Sequence, residues 1–506
     1  MTAPRTAEPL LLGLDIGTSS AKGVLARPDG HIVAEAQQPH QTSFPRPGWV
    51  EHDPETVWWA DALAIMRDLT ARAAAGLGRI AGVGVSGIGP CLLPVDAAGT
   101  PLRPAILYGI DTRAVDEIAE LNARFGEDAI LARGGSPLTF QAVGPKMRWL
   151  QVHEPDVWAR TKRFHMASSL IIERLTGEYV LDHHSASQCD PLYDMTAAGW
   201  ADDWAAEVAP GLELPRLAWS DEVVGRVHAA GAQATGLPVG TPVVAGTVDA
   251  WAEAISAGVR DPGDTMLMYG TTMFIVGIAQ DARPRAPLWT TMGVSRGVRT
   301  VAAGLSPSGG ITAWFRGIVG GADFGELYAE AGASPAGANG LLALPYFGMA
   351  RSPIFDARAR GAIVGLSLTH TRGDILRAIL EGTAFEVRHN LEVMAEAGAP
   401  ARKLFAVGGG VRSGVWSQIV TDVTGHPQVV PALTIGASYG DALLAARGVG
   451  LVASDAQWNE GAQVLQPDPA VAPLHADRYA LFRRLYRDTL EETHALARLQ
   501  EDAAAG

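Results

Sequence analysis

The sequence predicts an α/β protein built as two halves of roughly 250 residues, each opening on a strand meander. Three observations predict it. An apolar strand ending in Asp15 runs into a Gly- and hydroxyl-rich turn, and the same strand–polar turn–strand pattern returns near residue 270. Hydrophobic residues make up 47% of the chain and charged residues 19%, which suits large buried cores and not a disordered polymer. At about 150 residues per domain, a 506-residue length allows two large domains or three smaller ones.

Residues 10–15 read as the first strand, 17–20 as a tight turn and 21–26 as the second strand. Pro28-Asp29-Gly30 turns the chain into a third, alternating strand over 31–36. A Pro/Gly/Trp-rich stretch over 44–54 precedes a helical pattern over 57–75; strands return over 79–85 and 91–95, and helices over 114–124 and 156–175. In the second half, 242–245 is a short strand, and Thr247 begins an Ala-rich helix carrying Asp249 and Glu253. Strands over 265–269 and 273–278 flank Gly270-Thr271-Thr272, and 290–294 and 299–303 extend the sheet. Beyond Tyr479, Leu481 pairs with Leu485 and Phe482 with Tyr486 at helical spacing, predicting a helix that closes the second half. The expected domains are residues 1–245 and 246–506, with no independent third domain.

Charge narrows the partners. Forty Lys+Arg against 54 Asp+Glu leave a net charge of −14, which argues against nucleic-acid binding and against electrostatic membrane binding. An anionic ligand must therefore be held by a local site. Cys91 and Cys189 are too few for a disulfide framework or an all-thiolate zinc site. The apolar run Leu10-Leu11-Leu12 stops at Asp15, too early for a signal peptide, and the uncharged stretches 80–95 and 265–280 are too short and broken to span a bilayer. The expectation is a soluble, cytoplasmic protein.

Some familiar motifs fail. No Gly-Lys dipeptide occurs, so there is no P-loop. Gly82-Val83-Gly84-Val85-Ser86-Gly87 matches the dinucleotide fingerprint in letters, but its glycines lie inside a strand, and Pro90 and an apolar run replace the helix that should receive a pyrophosphate. A backbone approaching a ligand or a neighbouring strand is the plainer account. His183-His184 lacks zinc spacing and reads as a surface or loop pair.

The stronger signal is Asp15-Ile16-Gly17-Thr18-Ser19-Ser20-Ala21-Lys22. Such a turn aims N–H groups and hydroxyls at a phosphate while the carboxylate holds Mg²⁺, directly or through water. A plain hairpin turn explains these residues equally well alone; the second hydroxyl turn, Gly270-Thr271-Thr272, tips the balance. In Gly246-Thr247-Val248-Asp249 an Asp enters the first turn of a helix, where it either compensates the helix dipole or accepts a hydroxyl proton during phosphoryl transfer. Gly408-Gly409-Gly410, with Gly414 just beyond, would let a flat adenine or ribose lie on the backbone, and Ser306-Pro307-Ser308-Gly309-Gly310 would form the opposite wall.

These residues, in this order, resemble the FGGY carbohydrate kinases of the actin/hexokinase superfamily. The resemblance extends through 47–54, Pro145-Lys146-Met147-Arg148-Trp149-Leu150, the segment 351–356 and the run 361–366 with 374–381, the last two most like xylulose kinases. It implies two ribonuclease-H-like domains with an active-site cleft between them and ATP and Mg²⁺ as cofactors. It implies Asp249 as catalytic base and Asp15 as the metal-organising carboxylate. Gly17, Thr18, Ser19, Lys22, Gly270, Thr271 and Thr272 would hold phosphates, and Gly309, Gly310, Gly409, Gly410 and Gly414 would border adenosine.

The acceptor implied first is D-xylulose, giving D-xylulose 5-phosphate. Three departures weaken that choice. Ile88-Gly89-Pro90 stands where those enzymes usually show Gln-Met-His, Tyr108-Gly109-Ile110-Asp111-Thr112-Arg113 where they often show Trp-Asn-Asp-Gly-Arg, and Ala250 where Asn often follows the base. Gly89, Pro90, Tyr108 and Asp111 are the remaining expected sugar contacts beside Asp249. Another pentulose or polyol (ribulose, a glycerol-like polyol, gluconate) is the alternative, and a non-catalytic nucleotide-dependent sugar-binding protein is the alternative of another class. The expected partner is a small-molecule sugar; a homodimer is left open.

Overall fold

The computed structural model describes residues 8–459 and 463–505. The first half opens on β1 (Pro9–Ile16), β2 (Ser20–Ala26) and β3 (Ile32–Pro39), followed by α1 (Ala60–Arg72) and β4 (Arg79–Gly87). Much later come β5 (Val223–Arg226), β6 (Pro242–Val244) and β7 (Thr247–Val248). The second half runs α2 (Asp249–Ala257), β8 (Asp264–Tyr269), β9 (Thr272–Ala279), β10 (Trp289–Met292), β11 (Arg299–Pro307) and α3 (Gly309–Ile318). It continues with α4 (Arg372–Glu396), β12 (Lys403–Val407), α5 (Val415–Thr424), β13 (Gln428–Val430) and α6 (Ala437–Gly448). It ends on β14 (Gln463–Leu465), α7 (Ala472–Asp488) and α8 (Leu490–Ala505).

Two seven-stranded sheets result, ordered β5-β6-β4-β1-β2-β3, with β7 beside β4, and β10-β11-β9-β8-β12-β13-β14. In each, a hairpin (β1–β2, β8–β9) is antiparallel and its first strand then takes a parallel partner (β4, β12). The expected duplication is therefore a duplication of strand order. β1 is buried over seven of its eight residues because helices cover both faces, so it reads as one apolar run; β3, at the edge, alternates.

Three sequence expectations change. The helix over 156–175 is instead a helix Pro155–Arg160, a strand Arg163–His165 and a helix Ala167–Thr176. Arg163 and Phe164 pair with Val95 and Pro94, a long-range partner that outweighs local helical spacing. In α7 it is Tyr479 and Phe482 that pack on Phe385, while Leu481 stays 42% exposed, so the closing face is aromatic. His184 is buried, and its Nδ1 lies 2.8 Å from the Met292 carbonyl of the second half.

α6 explains the misleading glycine motif. Although it belongs to the second half, it lies on β1 and β4 of the first. Gly13 and Gly84 are register partners there, and a Cβ on either would strike the backbone carbonyl of Ser438 or Asp441. A Cβ on Gly82 would come within 2.9 Å of the Val449 side chain. The glycines let a helix from the other half rest directly on the sheet, not a cofactor. Tyr439 Oη donates to the Gly30 carbonyl at 2.9 Å and Trp458 Nε1 to Pro28 at 3.0 Å, fastening the tip of the β2–β3 hairpin to the same region. Among the described residues no helix is long and apolar enough to cross a membrane.

Candidate active site

The ends of β1 and β4 and the start of α2 converge between the halves. Asp15 is the penultimate residue of β1, opposite Lys22 on β2. The turn after it closes through the Gly17 N–H to the Ser20 carbonyl at 3.1 Å. His40 Nε2 lies 3.1 Å from the Gly17 carbonyl, and Thr42 Oγ1 donates to the Thr18 carbonyl at 2.8 Å. The turn's carbonyls are thus engaged from behind. Among the described residues the N–H groups of Thr18 and Ser19 meet no acceptor, which leaves them as donors toward the cleft.

The second turn joins β8 to β9. Ser308 and Gly310 N–H groups donate to the Thr271 carbonyl at 3.0 and 2.9 Å, and Gly309 N–H to the Gly270 carbonyl at 3.2 Å. A Cβ at Gly309 would land on that Gly270 oxygen. Thr271 and Thr272 are exposed.

Asp249 is the first residue of α2, and its Oδ1 accepts from the Ala250 N–H at 2.7 Å. Burial pushes its carboxyl up to about 6, with the Ala250 bond acting in the opposite direction. Asp15 is held well above the usual carboxylate range by burial first, then by repulsion from Asp249 and Glu253, against Lys22 and a Ser86 hydrogen bond. Glu253 follows Asp249 by one helical turn and is raised by burial and by Asp249. Behind them Ser86 Oγ donates to Asp441 Oδ2 at 2.6 Å and sits 3.4 Å from Asp15 Oδ1.

Beside the first turn, Tyr108 Oη lies 3.1 Å from Thr18 Oγ1. A Cβ at Gly89 would come within 2.9 Å of Val248, which holds the Gly89-Pro90 segment against the residue before Asp249. Asp111 turns the other way. Its side chain is fully buried, forked on Arg113 Nε and Nη2 (2.9 and 2.7 Å) and accepting from the Val50 N–H at 2.6 Å. It braces the loop that presents Tyr108. Gln141 Oε1 accepts from the Gly109 N–H at 2.6 Å on the same loop.

On the opposite wall β12 runs into Gly408, whose φ of +93° and approach to the Tyr269 carbonyl (2.7 Å from a Cβ) require glycine. Gly409 and Gly414 are exposed with open space where a side chain would stand, whereas Gly410 is packed beneath Trp416. Gly310 stands beside Pro307 at the start of α3.

These surroundings fit a nucleotide and a divalent cation. The open backbone at Gly409 and Gly414 suits a flat base, and free turn amides suit phosphates. Asp15, Asp249 and Glu253 lie within electrostatic reach of one another, with Lys22 as a cation beside them, so added positive charge would relieve their repulsion. Among the described residues no three acidic, His or Cys groups could hold a metal ion by themselves.

Of the residues the sequence motifs named, Asp15 and Asp249 come within electrostatic reach of one another. The motifs missed Ser86, Asp441 and Gln141, which are brought in from distant segments, and Glu253. Glu253 alone had a local signal, one helical turn beyond Asp249.

Comparison with known proteins decides the family. The family model for the N-terminal domain of FGGY carbohydrate kinases matches residues 10–256, and that for the C-terminal domain matches 265–449. The chain belongs to the FGGY family of carbohydrate kinases. It is 28% identical to a xylulose kinase of Bacillus subtilis (96% of this chain, 98% of the relative) and 30% identical to a glycerol kinase of Nocardia farcinica (86% and 89%). A solved xylulose kinase from Rhodospirillum rubrum superposes with a TM-score of 0.89 at 34% identity, covering 96% of this chain and all of that one. This FGGY kinase is therefore a phosphotransferase with an alcohol group as acceptor on a two-domain α/β fold. Its family implies a small-molecule sugar as substrate and ATP as phosphoryl donor.

Proposed function

We propose that this FGGY kinase transfers the γ-phosphoryl group of ATP to a terminal hydroxyl of a small ketose, D-xylulose first, forming D-xylulose 5-phosphate. The observation that carries the chemistry is Asp249, a carboxyl raised to about 6 at the start of a helix and within reach of Asp15. The acceptor rests on the xylulose kinases to which the chain is similar over its full length.

In this reading Asp249 takes the hydroxyl proton as the acceptor oxygen attacks phosphorus; a base with a pKa just below neutrality is ionised yet still a useful acceptor. The amides of Thr18 and Ser19 and the Gly270–Thr272 turn bind phosphate oxygens from two sides, with Lys22 adding positive charge. Asp15 would hold Mg²⁺ directly or through water, and the ion supplies charge neutralisation at the phosphates. Gly309, Gly310, Gly409, Gly410 and Gly414 border adenosine. Gly89, Pro90 and Tyr108 contact the sugar, and Asp111 acts by fixing the loop. Closing the halves would exclude water and suppress hydrolysis.

An ADP-release assay over D-xylulose, D-ribulose, glycerol and D-gluconate tests the reading. D-Xylulose should give the highest kcat/KM. A higher value for another acceptor replaces the substrate, and no stimulation by any of them overturns the kinase reading in favour of a nucleotide-dependent sugar-binding protein.

A further inference from the structure

Asp441 is an acid that packing does not explain. It lies one turn into α6 and is fully buried. Its Oδ2 accepts from the Ser86 hydroxyl at 2.6 Å, and its Oδ1 is buried without a hydrogen-bond partner among the described residues. A carboxyl enclosed with so little around it is costly at a helix position where an alanine would pack.

The groove beneath α6 carries it to the site. Gly13 and Gly84 are register partners in β1 and β4, and two positions further along so are Asp15 and Ser86. Side chains repeat every second residue on a strand, so Asp15 and Ser86 share the face of the two glycines, the face on which α6 rests. A Cβ at Gly84 would stand 2.1 Å from the Asp441 carbonyl. That close approach sets Asp441 on Ser86, and Ser86 Oγ lies 3.4 Å from Asp15 Oδ1. α6 also meets α2: a Cβ at Gly440 would stand 2.0 Å from the Ala252 carbonyl. One helix of the second half is therefore seated against both the strand of Asp15 and the helix of Asp249.

Ser86 is the junction. A hydroxyl carries one proton and gives it to one acceptor at a time. The short bond goes to Asp441 and only a long contact reaches Asp15, whose Oδ1 keeps its lone pairs for donors on the cleft side. A carboxyl offers an acceptor oxygen with or without its own proton, so the arrangement does not depend on the ionisation of Asp441.

Resting on the reading of Asp15 as the carboxylate that organises the cation, we propose that Asp441 is a positioning residue for phosphoryl transfer: by holding the Ser86 proton, it keeps Asp15 Oδ1 open to the hydrated cation of the nucleotide. Without Asp441 the Ser86 hydroxyl would turn to Asp15 and occupy that oxygen from behind. Asp441 acts only through Ser86. The readiness of Asp15, on the first half, thereby depends on the seating of a helix from the second.

The test measures how far Mg²⁺ strengthens ADP binding, by calorimetry with and without the ion and with no sugar present. In Asp441→Ala the gain from Mg²⁺ should be about 3- to 10-fold smaller than in the wild type, the span of one hydrogen bond. The Mg²⁺ concentration for half-maximal turnover should rise by a similar factor, with the acceptor KM unchanged. Asp441→Val, nearer to Asp in volume and equally without an acceptor, should do the same. Asp441→Asn keeps an acceptor oxygen and should recover most of the gain. In a Ser86→Ala background, Asp441→Ala should reduce the gain no further, because the proton it would release is absent.

A gain from Mg²⁺ in Asp441→Ala or Asp441→Val equal to the wild type's overturns this inference and leaves the kinase reading intact. So does a loss that Asp441→Asn fails to recover, one that persists in the Ser86→Ala background, or one matched by a rise in the acceptor KM. Each of these would make Asp441 a packing residue. Wild-type ADP binding that Mg²⁺ does not strengthen overturns the role of Asp15 itself, and this inference with it.

Discussion

The turn between β1 and β2 and the turn between β8 and β9 occupy the same place in two sheets of matching order, yet different atoms surround them. The first is surrounded by side chains: Asp15, Ser86 and Asp441 behind it, His40 and Thr42 beneath it, and Tyr108 at its hydroxyl. The second is held by backbone, with the amides of Ser308, Gly309 and Gly310 on the carbonyls of Gly270 and Thr271. A duplicated scaffold has been given two tasks. The first turn sits in a field of titratable groups and should be sensitive to charge; the second is a cradle and should be sensitive to volume.

The largest test concerns the charge side. Asp249→Asn should lower kcat by about 10³-fold, the middle of the general-base range, while ATP binding measured by calorimetry persists. The same carboxyl sets a pH limb. Raised to about 6, it is ionised above that pH and protonated below it, so kcat/KM should fall about tenfold per pH unit below 6. Near-normal turnover in the variant, or a flat profile from pH 7 to 5, would remove Asp249 from the reaction. Asp15→Ala comes next, with about a 100-fold loss in kcat/KM for Mg·ATP. Unchanged dependence on Mg²⁺ concentration would count against its role.

The volume side has its own test. Gly309→Ala puts a methyl onto the Gly270 carbonyl and must displace the second turn. Overpacking of this kind costs about 1–3 kcal/mol, so KM for ATP should rise roughly tenfold or more with KM for the sugar little changed. A rise in the sugar KM alone would break the division between the two turns.

What the sequence revealed follows the same line. Both turns were legible because a polar, glycine-containing break between two apolar strands is a local pattern, and Asp249 because it opens a helix. The field around Asp15 was not. Ser86 and Asp441 are separated by 355 positions and meet only because α6 rests on the Gly13–Gly84 groove. The same packing gives Gly82–Gly87 its meaning, which no local spacing conveys. Asp111 was named as a sugar contact, but its carboxylate is spent on Arg113 and the Val50 N–H, since a buried carboxylate must be paired.

The smallest effect sharpens the comparison most. Tyr108 reaches the first turn through Thr18 Oγ1 at 3.1 Å, whereas the contacts that hold the second turn in place come from backbone amides. Tyr108→Phe keeps the ring and removes one hydroxyl, so the loss should be about 1 kcal/mol, or about fivefold in kcat/KM. The Michaelis constants divide the cause. If the hydroxyl acts by holding the first turn, KM for ATP rises and the sugar KM stays. If it also meets the sugar from the Gly89–Pro90 side, both rise. A rise in the sugar KM alone would mean that the Thr18 contact contributes nothing to phosphate binding, and the first turn would then owe its function to its amides, as the second does.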